Sequence, residues 1–424
     1  MEQYRTELSL LRTALWGGDR FPLEIDGAEN WEKIFTELKA QAVAGIAADA
    51  VEYAPSIDPQ VKKEWIQFVF RQMVLWNKLM AEQNALKDLL DREKIPFVIL
   101  KGAAAAVYYS QPEKRAMGDV DIIVLPGDFE RADGVLRANG YNLEETENDR
   151  HNGYRKNGIE FELHRYFSIF NDAEQAEALD QQIFNGIGNR TDATLENYTF
   201  PMLPKMENGL VLLAHIDQHL EGGLGLRQII DWMLFVDREV DDQAWEQEFS
   251  QRVKALGKET LAVTVTRMCQ LYLGLREENI QWCKGADEEL CRELMEKILG
   301  GGNFGRKRGI SMVAVSILGV MSRLSNIPKF LQTRGCINWK SLKKYPFLRP
   351  FAWLYQLCRY IRKLFTGEYS LGQMIRDMRQ TGPTQQLMEK LGARQGRRTF
   401  EQDERKPALS PKNKATGGCE RENK

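Results

Sequence analysis

At Lys94-Ile95-Pro96 the chain changes its hydrophobic period, and that change constrains the fold more than any other feature of the sequence. Everything before it reads as helix. Leu8, Leu11, Ala14 and Leu15 recur at 3.6-type spacing, and so do Phe68, Phe70, Met73, Trp76, Leu79 and Met80 within a long stretch from Gln60 to Arg92. Asp58-Pro59 opens that stretch as an N-cap followed by proline at the first helical position. After the change, Phe97-Val98-Ile99-Leu100 is a short continuous apolar run, the pattern of a strand buried on both faces. Lys101-Gly102 ends it and Ala103 to Tyr109 starts with strong helix formers, so the local order is strand, glycine turn, helix. Asp119 to Leu125 is the next strand, closed by Pro126-Gly127, and Asp128 to Asn139 is a helix ending at Gly140. A third strand, Ile159 to His164, alternates with period two after the turn Lys156-Asn157-Gly158. Helices resume from about Asn208 to Leu299, and no internal repeat is present.

The composition is that of an ordinary folded protein: 424 residues, 43% hydrophobic and 28% charged, enough chain for two or three domains and a cleft between them. Six cysteines at irregular spacings, none before Cys269 and none in a C-x-x-C pair, argue against a zinc site or a disulfide framework. Glu2 and Glu7 occupy the place where a secretory signal needs a basic end and an apolar run, so a cytoplasmic location is expected. The most apolar stretch, Ile310 to Met321, falls well short of the roughly 20 residues of a spanning helix.

A net charge of -2 conceals an asymmetry. From Lys297 to Gly367 there are fourteen Lys/Arg and no Asp or Glu, so the rest of the chain is acidic. Residues 345 to 365 interleave aromatics with these cations. Such a segment suits an anionic membrane surface, which would place the protein at the inner face of the membrane; nucleic acid ranks second. The structural alternative is a basic face packed on the acidic remainder of the same chain.

Asp119 and Asp121, two apart on a strand, project to one face while Val120 and Ile122 point the other way. Paired carboxylates at that separation suit Mg²⁺ or Mn²⁺, although such pairs also decorate surface strands. Glu160 and Glu162 share one face of the third strand, and Glu162, deeper and beside His164, is the better third ligand. His164 would orient Glu162 or assist in deprotonating an acceptor hydroxyl. The Lys101-Gly102 turn would offer backbone donors and a cation to triphosphate oxygens, and Arg115 a bidentate fork, unless it pairs with Glu113 or Asp119.

The patterns Leu100-Lys101-Gly102, Arg115-x-Met-Gly118-Asp119-Val-Asp121 and Glu162-Leu163-His164 resemble the uncharacterised bacterial nucleotidyltransferase family within the DNA polymerase beta-like superfamily. The resemblance continues through His215-x-x-x-His219 and Gly225-Leu226-Arg227 to Asp231, covering roughly residues 8 to 240. It implies an α+β fold with a small mixed sheet flanked by helical regions, and Mg²⁺ or Mn²⁺ held by Asp119, Asp121 and Glu162. The wider superfamily usually has Gly-Ser at the turn; here the turn is Lys101-Gly102 followed by Ala103, and Lys101 would take the place of the missing serine hydroxyl at the gamma-phosphate. The expected organisation is an N-terminal helical region (1–94), a nucleotidyltransferase core (95–204), a helical domain closing the cleft (205–300), a basic, aromatic-rich helical segment (301–393) and, from its near lack of aliphatic residues, a disordered tail (394–424).

On this reading an NTP lies over Lys101, Gly102 and Gly118, an acceptor hydroxyl attacks the alpha-phosphorus, and pyrophosphate leaves. His215 and His219 lie at i, i+4 without the glutamate of H-E-x-x-H, so one of them meets a phosphate or the base, or both are satisfied interdomain histidines. Arg227 would clamp phosphate, or pair with Asp231 four residues on. Two rival readings are a D-x-D glycosyltransferase and a noncatalytic adaptor on a membrane or polysaccharide-assembly complex.

Overall fold

The computed structural model describes residues 1–303 apart from 26–28, 55–56, 148–149, 168–169, 171 and 221–222, together with 332, 339, 346–365 and 386–392. The apolar stretch Ile310–Met321, most of the basic segment and the whole tail after residue 393 lie outside the described residues.

Four helices precede the sheet: α1 (Arg5–Trp16), α2 (Trp31–Ala40), α3 (Ala44–Glu52) and α4 (Pro59–Arg92). The expected cap of α4 is realised, with Asp58 Oδ1 accepting from the backbone N–H of Gln60 at 2.7 Å and Val61 at 3.3 Å. Along α4 the buried stripe changes partner. Val61, Trp65 and Val69 join a core with α1 to α3, whereas Trp76, Leu79, Met80, Leu86, Leu89 and Leu90 join a second core under the sheet. Phe70 leaves the stripe that its spacing suggests: it is 67% exposed, on the outer face with Ile66 and Val74.

The sheet is mixed, with seven strands in the order β3-β4-β5-β2-β1-β7-β6. Its strands are β1 (Phe97–Leu100), β2 (Asp119–Val124), β3 (Asn142–Glu147), β4 (His151–Lys156), β5 (Ile159–His164), β6 (Thr191–Leu195) and β7 (Tyr198–Met202). β1, buried at all four residues, pairs antiparallel with β2 and parallel with β7. Two hairpins that alternation alone does not reveal extend the sheet at both ends, β3-β4 and β6-β7. Between and after the strands lie α5 (Gly102–Ala106), α6 (Phe129–Ala138), α7 (Ala173–Gly188), α8 (Lys205–His219), α9 (Leu226–Glu239), α10 (Asp242–Ala244), α11 (Ser250–Ala255), α12 (Glu259–Leu273) and α13 (Glu288–Gly301), with α14 (Ala352–Phe365) beyond. Helices α8, α9 and α12 pack around Trp232 and Phe235, and Gly209 of α8 makes room for the Phe235 ring. The result is the α+β architecture expected from the sequence, with helices at both ends of a mixed sheet.

The two faces of β2 meet different cores. Val120, Ile122 and Val124 point into the layer shared with the second half of α4, while Ile123 joins the core of the helical layer. Asp119 and Asp121, in step with Ile123, therefore open toward the helical side.

Candidate active site

β2 and β5 run parallel, and their register sets Asp119 opposite Glu160, Asp121 opposite Glu162 and Ile123 opposite His164. Residues directly opposite in a pair share a face, so the carboxylates converge. The exposed Glu160 turns away to Arg155, whereas Glu162 stays with the site. His164 Nε2 lies 2.9 Å from Asp121 Oδ1 and 3.3 Å from Glu162 Oε2. Asp121, Glu162 and His164 each offer one ligand atom within 4.8 Å of the others, a donor set with room for a divalent ion. Asp119, the first residue of β2 and partly exposed, stands two residues before Asp121 on the same face.

Lys101 enters from the turn. Its backbone holds φ 47° and ψ -125°, a sparsely populated conformation for a residue with a side chain. Its ammonium lies 3.0 Å from Asp121 Oδ1 and over the Phe167 ring, at 5.5 Å from the centroid. A Cβ at Gly102 would lie 3.3 Å from Met117 Cε, so the turn leaves little room for a side chain there. Gly118 is exposed, with open space where a Cβ would be.

The two aspartates titrate in opposite directions. Repulsion from Asp121, then burial, then Glu162 push the Asp119 carboxyl up to about 6, against the pull of Lys101 and Arg227. Burial would raise Asp121 as well, but the Lys101 ammonium and the His164 hydrogen bond outweigh it and hold Asp121 well below the usual carboxylate range. Burial lowers Lys101, yet Asp121, Asp119 and Glu162 more than compensate and keep it charged. His164, disfavoured as a cation by burial, is raised on balance by its hydrogen bonds to Asp121 and Glu162.

Arg115 does not present its fork to a phosphate. It is 1% exposed, and its Nε and Nη2 donate to Asp231 Oδ1 and Oδ2 at 2.7 and 2.6 Å. Tyr109 Oη donates to the same Asp231 at 2.7 Å. The expected phosphate contact is replaced by a buried pair between α9 and the loop before β2, and the partner is neither Glu113 nor Asp119. Because Asp231 is spent on Arg115, Arg227 does not take it as the i+4 partner; Arg227 Nη1 donates to the Ala116 carbonyl at 2.9 Å. Burial and the neighbouring Arg115 lower its pKa, against the support of Asp231 and Asp119, and the guanidinium stays charged. Arg227 is thus the half-buried cation that α9 holds on the Asp119 side of the site.

The His215 and His219 rings on α8 pack edge to face, 4.7 Å between centroids. Burial, then the His219 ring, then Lys101 and Arg227 hold His215 well below its ordinary value; burial and the same two cations lower His219 to about 3. Both imidazoles are neutral near pH 7, so they can hydrogen-bond but bring no charge to a phosphate. Tyr109 and Asp231 have structural roles at the site that sequence spacing does not reveal, since 116 residues separate Arg115 from its partner.

A family model described as uncharacterised nucleotidyltransferase matches residues 27–274, more than half of the chain. Among solved structures, the chain is similar to an antigenic nucleotidyltransferase-like protein from Paracoccidioides brasiliensis, at 14% identity, 48% of this chain and 97% of that one, with a TM-score of 0.32. No curated protein matches.

Proposed function

Because the chain belongs to the nucleotidyltransferase family whose model spans residues 27–274, we propose that it moves a nucleoside monophosphate from an NTP to an acceptor hydroxyl, releasing pyrophosphate. The acceptor is a small molecule, a sugar or a protein side chain. The observation that carries this reading is the β2-β5 register, which gathers Asp119, Asp121, Glu162 and His164 on one face beside Lys101. Family membership weighs against the glycosyltransferase and adaptor alternatives.

The residues fit a hard divalent ion. Asp121 and Glu162 supply oxygens, and His164 lies within the same donor cluster. Asp119, Asp121 and Glu162 would hold Mg²⁺ or Mn²⁺, which when bound neutralises charge on the triphosphate. Lys101 and the Gly102 turn receive phosphate oxygens, Gly118 lets the chain approach closely, and Arg227 adds a cation from the helical side. His164, bonded to both Asp121 and Glu162, orients the two carboxylates. His215 and His219, being neutral, suit the base or ribose better than a phosphate. We assign residues 95–204 as the catalytic core, 1–94 as its helical support and 205–300 as the helical unit closing over the nucleotide.

Among the described residues no helix is long and apolar enough to cross a membrane. Phe347, Phe351, Trp353 and Leu354 are 73%, 56%, 43% and 44% exposed, beside Arg349 and Arg359. We assign this face, within the acid-free stretch 297–367, to peripheral attachment at an anionic membrane. Co-sedimentation with anionic but not neutral vesicles is expected, and equal, negligible pelleting with both would remove the assignment.

The test of the reaction is incubation with each labelled NTP, Mg²⁺ or Mn²⁺ and cell extract, following label transfer and pyrophosphate. Transfer by the wild type and none by Asp121→Asn is expected. Transfer undiminished in Asp121→Asn would refute the site, and no pyrophosphate from any NTP would refute the reaction.

A further inference from the structure

The carboxylate face carries a cation of its own. Asp121 Oδ1 accepts from Lys101 Nζ at 3.0 Å and lies 2.9 Å from His164 Nε2, in a setting where the Asp121 side chain is 3% exposed and that of Lys101 14%. The donor cluster of Asp121, Glu162 and His164 has the size for a divalent ion. An ion placed at Asp121 would nevertheless stand beside an ammonium group, in largely buried surroundings where like charges repel more strongly than in water. Lys101 reaches this position from a strained backbone at φ 47°, so the turn is bent to aim the lysine at the carboxylates. Phosphate oxygens are the other partner that suits such a lysine.

We propose that Lys101 is a resident counter-ion for Asp121 that excludes a bare divalent cation and yields its place only when triphosphate oxygens draw the ammonium away, so that metal and NTP enter as one complex. The inference rests on the nucleotidyl-transfer reading and adds to it the part that Lys101 plays in the order of binding. Lys101 thereby serves two partners in turn: the Asp121 carboxylate before the triphosphate arrives and the phosphates after it.

The experiment uses the full chain and no turnover. Mn²⁺ binding is measured by equilibrium dialysis for wild type, Lys101→Met, Lys101→Gln and Lys101→Arg. Inorganic tripolyphosphate binding at saturating Mn²⁺ is then measured by calorimetry, with circular-dichroism melts to confirm folding. Wild type and Lys101→Arg should bind bare Mn²⁺ weakly, while the Met and Gln variants bind it about tenfold tighter or more, having lost the competing charge. The same two neutral variants should bind tripolyphosphate about tenfold more weakly or worse. Changes of opposite sign are the signature, because general damage to the site weakens both ligands. The proposal is overturned if wild type takes bare Mn²⁺ as tightly as Lys101→Met, if Lys101→Arg gains affinity as the neutral variants do, or if the neutral variants keep full tripolyphosphate affinity. Each of these results leaves the nucleotidyl-transfer reading standing, since that reading fails instead by the absence of pyrophosphate release.

Discussion

Neutralising Asp231 tests whether Arg115 is a strut or a substrate ligand. In Asp231→Asn the amide keeps the shape of the carboxylate and still accepts from Tyr109, but the Arg115 guanidinium, 1% exposed, loses its only buried counter-charge within hydrogen-bond reach among the described residues. Arg227, a like charge already felt by Arg115's surroundings, adds to the imbalance. Breaking a buried pair by removing one partner costs about 3–5 kcal/mol, a large part of the roughly 5–15 kcal/mol that holds a domain folded. At about 2–4 °C per kcal/mol for a unit of this size, the melting temperature should fall by roughly 6–20 °C. The assay is a thermal melt at pH 7, run alongside the double variant Arg115→Met/Asp231→Leu. Two apolar side chains of similar volume remove both charges at once, so the double variant should recover part of the loss, and adding Tyr109→Phe, which removes the buried hydroxyl left without its acceptor, should recover most of it. If Asp231→Asn melts within about 2 °C of wild type, while Arg115→Met keeps its stability and loses NTP affinity, Arg115 faces the substrate and the strut argument is wrong.

The two aspartates of β2 should respond differently to pH. Asp119 has a raised carboxyl, so its ionisation costs stability above about 6 and the cost fades as pH falls toward the usual carboxylate range; Asp119→Asn should melt above wild type at pH 8, with the gain shrinking by pH 4, and an unchanged melt across that range would contradict the repulsion. Asp121 is held low, so its contribution is present at neutral pH and is lost only as pH falls below that range; Asp121→Asn should therefore lower the melting temperature as well as abolish transfer. Gly209→Ala would drive a methyl into the Phe235 ring, which is itself fully buried, and should cost about 1–3 kcal/mol by denaturant titration; a neutral result would show that the α8-α9 contact is looser than the structure has it.

How much of this was legible beforehand follows from which elements bury enough apolar surface to leave a pattern. β1 and β2 are buried on both sides and announce themselves as Phe97-Val98-Ile99-Leu100 and Val120 to Val124. β3 (Asn-Leu-Glu-Glu-Thr-Glu) lies at the edge of the sheet and owes its pairing to β4, so its residues carry no apolar alternation. β4 hides behind polar types, with Asn152 and Tyr154 as its buried residues, although the turn at Asn157-Gly158, with φ of 52° and 77°, was visible. The β6-β7 hairpin turns at Glu196, whose φ of 51° is one that glutamate rarely signals. Helix α7 had a usable sign in Ala176, Leu179, Ile183 and Ile187 at helical spacing. At the site, a meeting of Glu162 with the Asp119/Asp121 edge could be anticipated from the i, i+2 aspartates of β2 and the alternation of β5, while the Arg115–Asp231 pair depends on tertiary packing that no local spacing encodes.

Helix α4 has a mechanical consequence. One rigid rod supplies Trp65 to the core of the helical layer and Trp76 to the core beneath the sheet, eleven residues apart. Its angular phase is therefore locked at two places, like a key cut for two wards. Inserting a single alanine between Val69 and Trp76 would rotate the second half by about 100° relative to the first, turning Trp76, Leu79 and Met80 out of their seats whichever half kept its place. A fragment beginning at residue 95 would likewise leave its sheet without the layer that those side chains fill, so strands β1 and β2 depend on the helix written before them.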